Sequence, residues 1–154
     1  MRLLLYSTLA VVLAYGSVSA LADQPPDWLQ GQEAGPHPIR VLQVDDHGSV
    51  WGVAHIDGYV LTSWWRISGM DLPRAGRQAE CSDERSLADA AARSMRWLTV
   101  GKAVTITALS GSPDQRHLAG RIILPDGRDL SEALIGMGLA RRKGSTKRDP
   151  WCGW

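Results

Sequence analysis

The chain has 154 residues, with 17 Lys and Arg against 16 Asp and Glu, a formal net charge of +1 and 44% hydrophobic residues. That balance argues against a protein whose business is gripping long nucleic acid by bulk charge, and weak or no nucleic-acid binding is expected. Two Cys and four scattered His show no zinc-ligand spacing.

The N-terminus reads as a secretory signal. One early cation, Arg2, precedes an apolar stretch over 3–18 that is broken by Ser7, Thr8, Gly16 and Ser17, and the small-residue run Ser19-Ala20-Leu21-Ala22 follows. Cleavage is expected after Ala22, with Ala20 the alternative. An uncleaved anchor is the weaker reading, because Asp23-Gln24-Pro25-Pro26 ends the apolar run at once. Removing 22 of the 154 residues leaves 132, enough for one domain with a hydrophobic core. Loss of Arg2 makes that mature chain formally neutral. The destination is periplasmic or secreted, and no membrane span remains after signal removal. Both cysteines, Cys81 and Cys152, lie in the mature part, where an oxidising compartment favours pairing and only one intramolecular bridge is available. Two unpaired thiols remain the alternative.

An irregular arm over 23–39, rich in Pro, Gly and Gln, leads into a domain over 40–154. β-type runs follow at 40–44, 49–55 and 59–67, with turn signals at Asp46-His47-Gly48 and at Asp57-Gly58, a strong hairpin pair. Alternation along the third run sets Leu61, Trp65 and Ile67 on one face and Val60, Thr62, Trp64 and Arg66 on the other. A helix is predicted over 83–100, with Ser82 as N-cap, Asp83 and Glu84 in its first turn, and Leu87, Ala88, Ala91, Met95 and Leu98 on one face. A fourth run, 103–109, sets Val104, Ile106 and Ala108 against Thr105 and Thr107. A fifth spans 117–124, and a second helix 131–137. Arg141, Arg142, Lys143, Lys147 and Arg148 form a basic segment that reads as a solvated tail. The expected fold is α+β, mainly β: a five-stranded OB-type Greek-key barrel with a helix between strands 3 and 4 and a C-terminal helix.

Several segments carry a family resemblance. They are Arg66-Ile67-Ser68-Gly69-Met70-Asp71-Leu72-Pro73, Cys81-Ser82-Asp83-Glu84, Arg116-His117-Leu118-Ala119, Asp126-Gly127-Arg128, Gly138-Leu139-Ala140 and the late Trp151-Cys152. In order and spacing they resemble the staphylococcal nuclease (thermonuclease) family, most of all its short exported bacterial members. That family cleaves phosphodiesters with a calcium ion held by acidic side chains, two arginines that stabilise the phosphate, and a Glu that assists water. By resemblance Arg66 and Arg116 match the arginines and Asp71 one metal ligand. Gly48 stands where the partner metal-binding Asp belongs, and Arg74 replaces the catalytic Glu. The segment Ser112-Pro113-Asp114-Gln115 also departs from the family pattern before Arg116. The resemblance further implies a Cys81–Cys152 disulfide.

A structural role is the competing reading for these residues. Arg66 would close an ion pair with Glu84 or Asp71, Asp71 would be a turn residue, and Asp45 or Asp46 would replace the lost ligand only through a shifted loop. Seven Trp with no Phe, on a barrel type that stacks bases or sugars on exposed rings, make Trp64 beside Arg66 the candidate for ligand stacking. The expected function is therefore an exported nuclease-fold protein with lost or severely weakened phosphodiesterase activity and no cofactor, acting as a binding or structural module. The rival is a calcium-dependent nuclease with a rearranged site. A third class is an oligosaccharide or peptide binder that uses the barrel face. The sequence names neither a ligand nor an oligomeric state.

Overall fold

The computed structural model describes residues 35–111, 118–144 and 151–153. The signal, most of the arm, Arg116 and the segment 145–150 with Lys147 and Arg148 lie outside them. Strands β1 (His37–Val44), β2 (Ser49–Ile56) and β3 (Tyr59–Ile67) are followed by the two-residue β4 (Met70–Asp71) and the helix α1 (Ser82–Thr99). Then come β5 (Val104–Ser110), β6 (Leu118–Ile123), the short helix α2 (Leu130–Gly136) and the two-residue β7 (Arg141–Arg142). The five long strands close in the order β1-β2-β3-β6-β5, with β3 and β6 parallel and the remaining pairs antiparallel. This is the mainly β barrel expected, with α1 between its third and fourth strands.

Local chemistry accounts for the frame. The β2–β3 hairpin turns on Asp57 and Gly58, both at positive φ (47° and 87°), as a two-residue primed turn requires. Pairing then runs without a shift from Ile56↔Tyr59 to Ser49↔Arg66. Period-two alternation puts Val50, Ala54, Ile56, Trp65 and Ile67 inside, with Trp65 wholly buried in the same core as the β1 and β6 residues Val41, Val44, Leu118 and Ile122. The predicted phase of β3 holds. Trp64 and Arg66 face outward while Trp65 faces in.

Three expectations are corrected. Ala108 is exposed rather than in line with Val104 and Ile106, because it sits at positive φ (48°) where the β5–β6 register shifts between Thr107 and Ser110; the bulge turns Leu109 inward instead. The α1 N-cap is Cys81, whose sulfur accepts from the Glu84 N–H at 3.4 Å, while Ser82 is the first helical residue. The start of the basic segment is no free tail. Arg141 and Arg142 form β7 on β4, Arg142 makes two 2.7 Å bonds to Glu132, and the Arg141 guanidinium lies 3.8 Å above the Trp151 ring.

The C-terminal elements are tied down further. Asp129 caps α2 through the Ser131 and Glu132 N–H groups and pairs with Arg121 at 2.7 Å. That bond, and then the charge behind it, raises the Arg121 guanidinium above its ordinary pKa. Cys81 and Cys152 form a disulfide with Cα atoms 6.0 Å apart across a sequence separation of 71. It fastens the residues after β7 to the start of α1. Among the described residues, no helix is long and apolar enough to cross a membrane.

Candidate functional site

The turn before β2 is organised by one carboxylate. Asp45 Oδ1 accepts from the His47 N–H at 2.9 Å and the Ser49 N–H at 2.7 Å, which fixes the loop and leaves Gly48 at φ +79°. Gly48 is buried against the side chain of Leu72, and a Cβ placed there would collide with the Leu72 Cδ1 methyl. On the next strand, Ser49 lies directly opposite Arg66. One rung along the same outer face, Trp51 lies opposite Trp64 with ring centroids 5.5 Å apart and planes tilted by 52°.

The segment from β4 to α1 forms the other wall, and Glu84 organises it. This carboxylate is 3% exposed and accepts the Arg74 N–H at 3.0 Å through Oε1 and the Glu80 N–H at 2.7 Å through Oε2. The arrangement resembles a capping box in which the Glu reaches past the cap to hold the preceding loop. Replacing Glu84 with Gln keeps one acceptor and turns an NH₂ towards the second N–H. We expect a loss of about 2 kcal/mol in chemical denaturation, with faster hydrogen exchange confined to the Arg74 and Glu80 amides. Unchanged stability and exchange would show that Glu84 does not hold this loop.

Between these walls lies a cleft of about 410 Å³ whose lining includes Gly48, Ser49, Arg66, Asp71, Arg74 and Lys143. The structure thus brings together Arg66, Asp71, Gly48 and Arg74, which the sequence singled out separately. The exposed Arg66 and Asp71 side chains have no hydrogen bond or ion pair among the described residues, so the expected tie from Arg66 to Glu84 or Asp71 is absent there. Asp45 and Asp46 are spent elsewhere. The first holds its own turn, and the second meets Arg96 at 3.2 Å. Arg74 is partly neutralised at the rim by Glu80, 2.7 Å away.

Lys143 is the residue that sequence reasoning missed. Its N–H bonds to the Gly69 carbonyl at 3.2 Å, continuing the β4–β7 pairing and carrying the residue to the cleft. No local pattern marks a contact between positions so far apart in the chain. Among the described lining residues the charged ones are therefore three cations, Arg66, Arg74 and Lys143, against one carboxylate, Asp71, with His47 beside them. No family model matches this chain, and no curated protein matches it. The functional reading consequently rests on the residues themselves.

Proposed function

We propose that the chain is an exported, staphylococcal-nuclease-like module that binds phosphate-type anions in the Arg66 cleft and has lost, or nearly lost, calcium-dependent phosphodiester hydrolysis. The observation that carries this reading is the lining: among the described residues it sets three cations against one carboxylate, and two of the cations (Arg66 and Lys143) have no ion pair there. Guanidinium and ammonium groups placed together suit phosphate oxygens. Export is supported by the signal-like N-terminus and by the Cys81–Cys152 disulfide, which oxidising compartments favour.

Calcium does not fit this donor set. It takes six to eight oxygen ligands, chiefly carboxylates and carbonyls. Here Asp71 is the one carboxylate among the described lining residues, and no three His, Cys, Asp or Glu of the described residues gather as a metal-holding group. At an effective dielectric near 20, a unit charge about 5 Å from the ion is worth roughly 3 kcal/mol per ion charge, so Arg66 and Lys143 outweigh Asp71. The rival reading, a working nuclease with a rearranged site, draws on Arg66 and Asp71 sharing one cleft with no ion pair among the described residues.

Calorimetric titration with pyrophosphate and with a short single-stranded oligonucleotide separates the two readings. Binding is expected in the presence of a calcium chelator, weakened at least tenfold by Arg66→Ala or Lys143→Ala and slightly strengthened by Asp71→Asn. Trp64→Ala is expected to weaken only the oligonucleotide, through lost stacking. With one or two phosphates held, the slope of log K against log salt should lie between about −0.7 and −1.4, and duplex DNA should bind poorly at physiological salt. Binding that requires calcium and vanishes in Asp71→Asn would overturn the proposal in favour of the metal enzyme.

A further inference from the structure

A second groove, about 620 Å³, runs between β1 and the last two turns of α1, and it shares no lining residue with the cleft. Its apolar wall is Leu42, Trp97 and Val100, which are 47%, 74% and 38% exposed. Trp97 makes no contribution to the core. The face of α1 that does is formed by Ala88, Ala91, Ala92, Met95 and Leu98. Arg93, Arg96 and Trp97 instead share a second stripe of the same helix at i, i+3 and i+4, and the C-cap Val100 follows just beyond its end. Arg93, Arg96 and Lys102 edge the groove, and no carboxylate lines it among the described residues. Arg96 is held at the rim by the Val44 carbonyl at 3.4 Å and by Asp46 at 3.2 Å, which leaves Arg93 and Lys102 as cations without an ion pair among the described residues.

We propose that this groove docks an acidic segment of a partner protein, one that sets an apolar side chain against Trp97 and carboxylates against Arg93 and Lys102. Charge complementarity selects that occupant. A second copy laid face to face would bring two sets of the same cations together, which costs free energy rather than gaining it. A flat bilayer would touch the protruding Trp97 ring and leave the concave floor wet, whereas a chain segment fills it. A small molecule is poorly served, because pockets for such ligands bury most of the ligand surface and this wall is itself open to solvent. Trp and Arg are the residue types on which binding energy concentrates when a partner covers them.

The test uses two dye-labelled helical peptides with Leu at i, i+3, i+4 and i+7, one with Glu at the flanking positions and the other with Lys, followed by fluorescence anisotropy on the full protein. The Glu peptide is expected to bind at least tenfold more tightly than the Lys peptide, and less tightly as salt rises. Trp97→Ala is expected to weaken it at least tenfold. The double variant Arg93→Glu with Lys102→Glu is expected to reverse the preference between the peptides, a gain of binding that misfolding does not produce. Equal binding of the two peptides, no binding of either, or an affinity indifferent to Trp97 would overturn the proposal. So would Trp97-dependent binding to phosphatidylglycerol vesicles with no peptide binding, which assigns the patch to a membrane, or a Trp97-dependent dimer in sedimentation, which assigns it to a second copy.

Discussion

Titrated with calcium, the wild-type protein is expected to cleave single-stranded DNA or RNA no faster than its Arg66→Ala variant. Ion, acid and arginines would act as one unit in such a reaction, so a cleft whose described lining holds one carboxylate and an excess of cations retains little of the combined rate. Returning two carboxylates, by Gly48→Asp with Arg74→Glu, is the rebuilding that the sequence suggests. The structure shows why those two changes fall short. At φ +79° an Asp is strained, and its Cβ meets the Leu72 methyl, so Gly48→Asp alone should destabilise the fold by about 2 kcal/mol. Arg74→Glu also removes the pairing with Glu80 and sets two like charges together. The triple variant that adds Leu72→Ala is therefore expected to bind calcium more tightly than the double variant when both are titrated calorimetrically. Rapid calcium-dependent cleavage by the wild type, lost in Asp71→Ala, would show instead that the site has been rebuilt around other ligands.

Where local chemistry decides a conformation, the sequence was readable. Asp57-Gly58 sets a turn that only left-handed residues fill, and once it is set, side-chain alternation fixes that Trp65 enters the core while Trp64 and Arg66 leave it. Where a distant partner decides, it was not. Ala108 follows the β5 pattern of apolar residues until a bulge against β6 shifts the phase. The strand β1 begins at His37, three residues before the expected position 40. Pro38 can sit opposite Thr105 near the start of a strand, although its composition reads as an arm. The sequence reading passed over Cys81 for Ser82 because a cysteine sulfur is a weak acceptor that propensity ranks poorly, yet Cys81, joined to Cys152, is the residue that caps the helix.

The cleft divides in the same way. Arg66, Asp71 and Arg74 lie within one short stretch joining β3 to the loop beyond β4, so their proximity follows from chain continuity. Lys143 reaches them only through a two-residue pairing of β7 with β4, which carries no sequence signature at that length. Trp51 and Trp64 become a pair only when the hairpin register is known.

Opening the Cys81–Cys152 bridge is expected to be among the most destabilising of single changes. It closes a loop across 71 positions, for which the chain-entropy argument gives about 4 kcal/mol, or a fall of about 15 °C in Tm for a domain of this size. Two effects meet at Cys81, because its sulfur also accepts the Glu84 N–H, and they can be separated. Cys152→Ala, measured under reducing conditions, removes the cross-link and leaves the Cys81 sulfur at the helix start. Cys81→Ala removes both and should cost up to about 1 kcal/mol more. The same bridge anchors Trp151, whose ring lies under Arg141 in β7, and β7 in turn carries Lys143 to the cleft. Cys152→Ala should therefore also weaken pyrophosphate binding well below its unfolding temperature, by several-fold, whereas a purely global loss of stability leaves the affinity of the folded fraction unchanged. Two free thiols in the mass spectrum of the non-reduced protein would remove the basis for both effects. A Tm drop with no change in pyrophosphate affinity would confine the bridge to stability and disconnect it from the cleft.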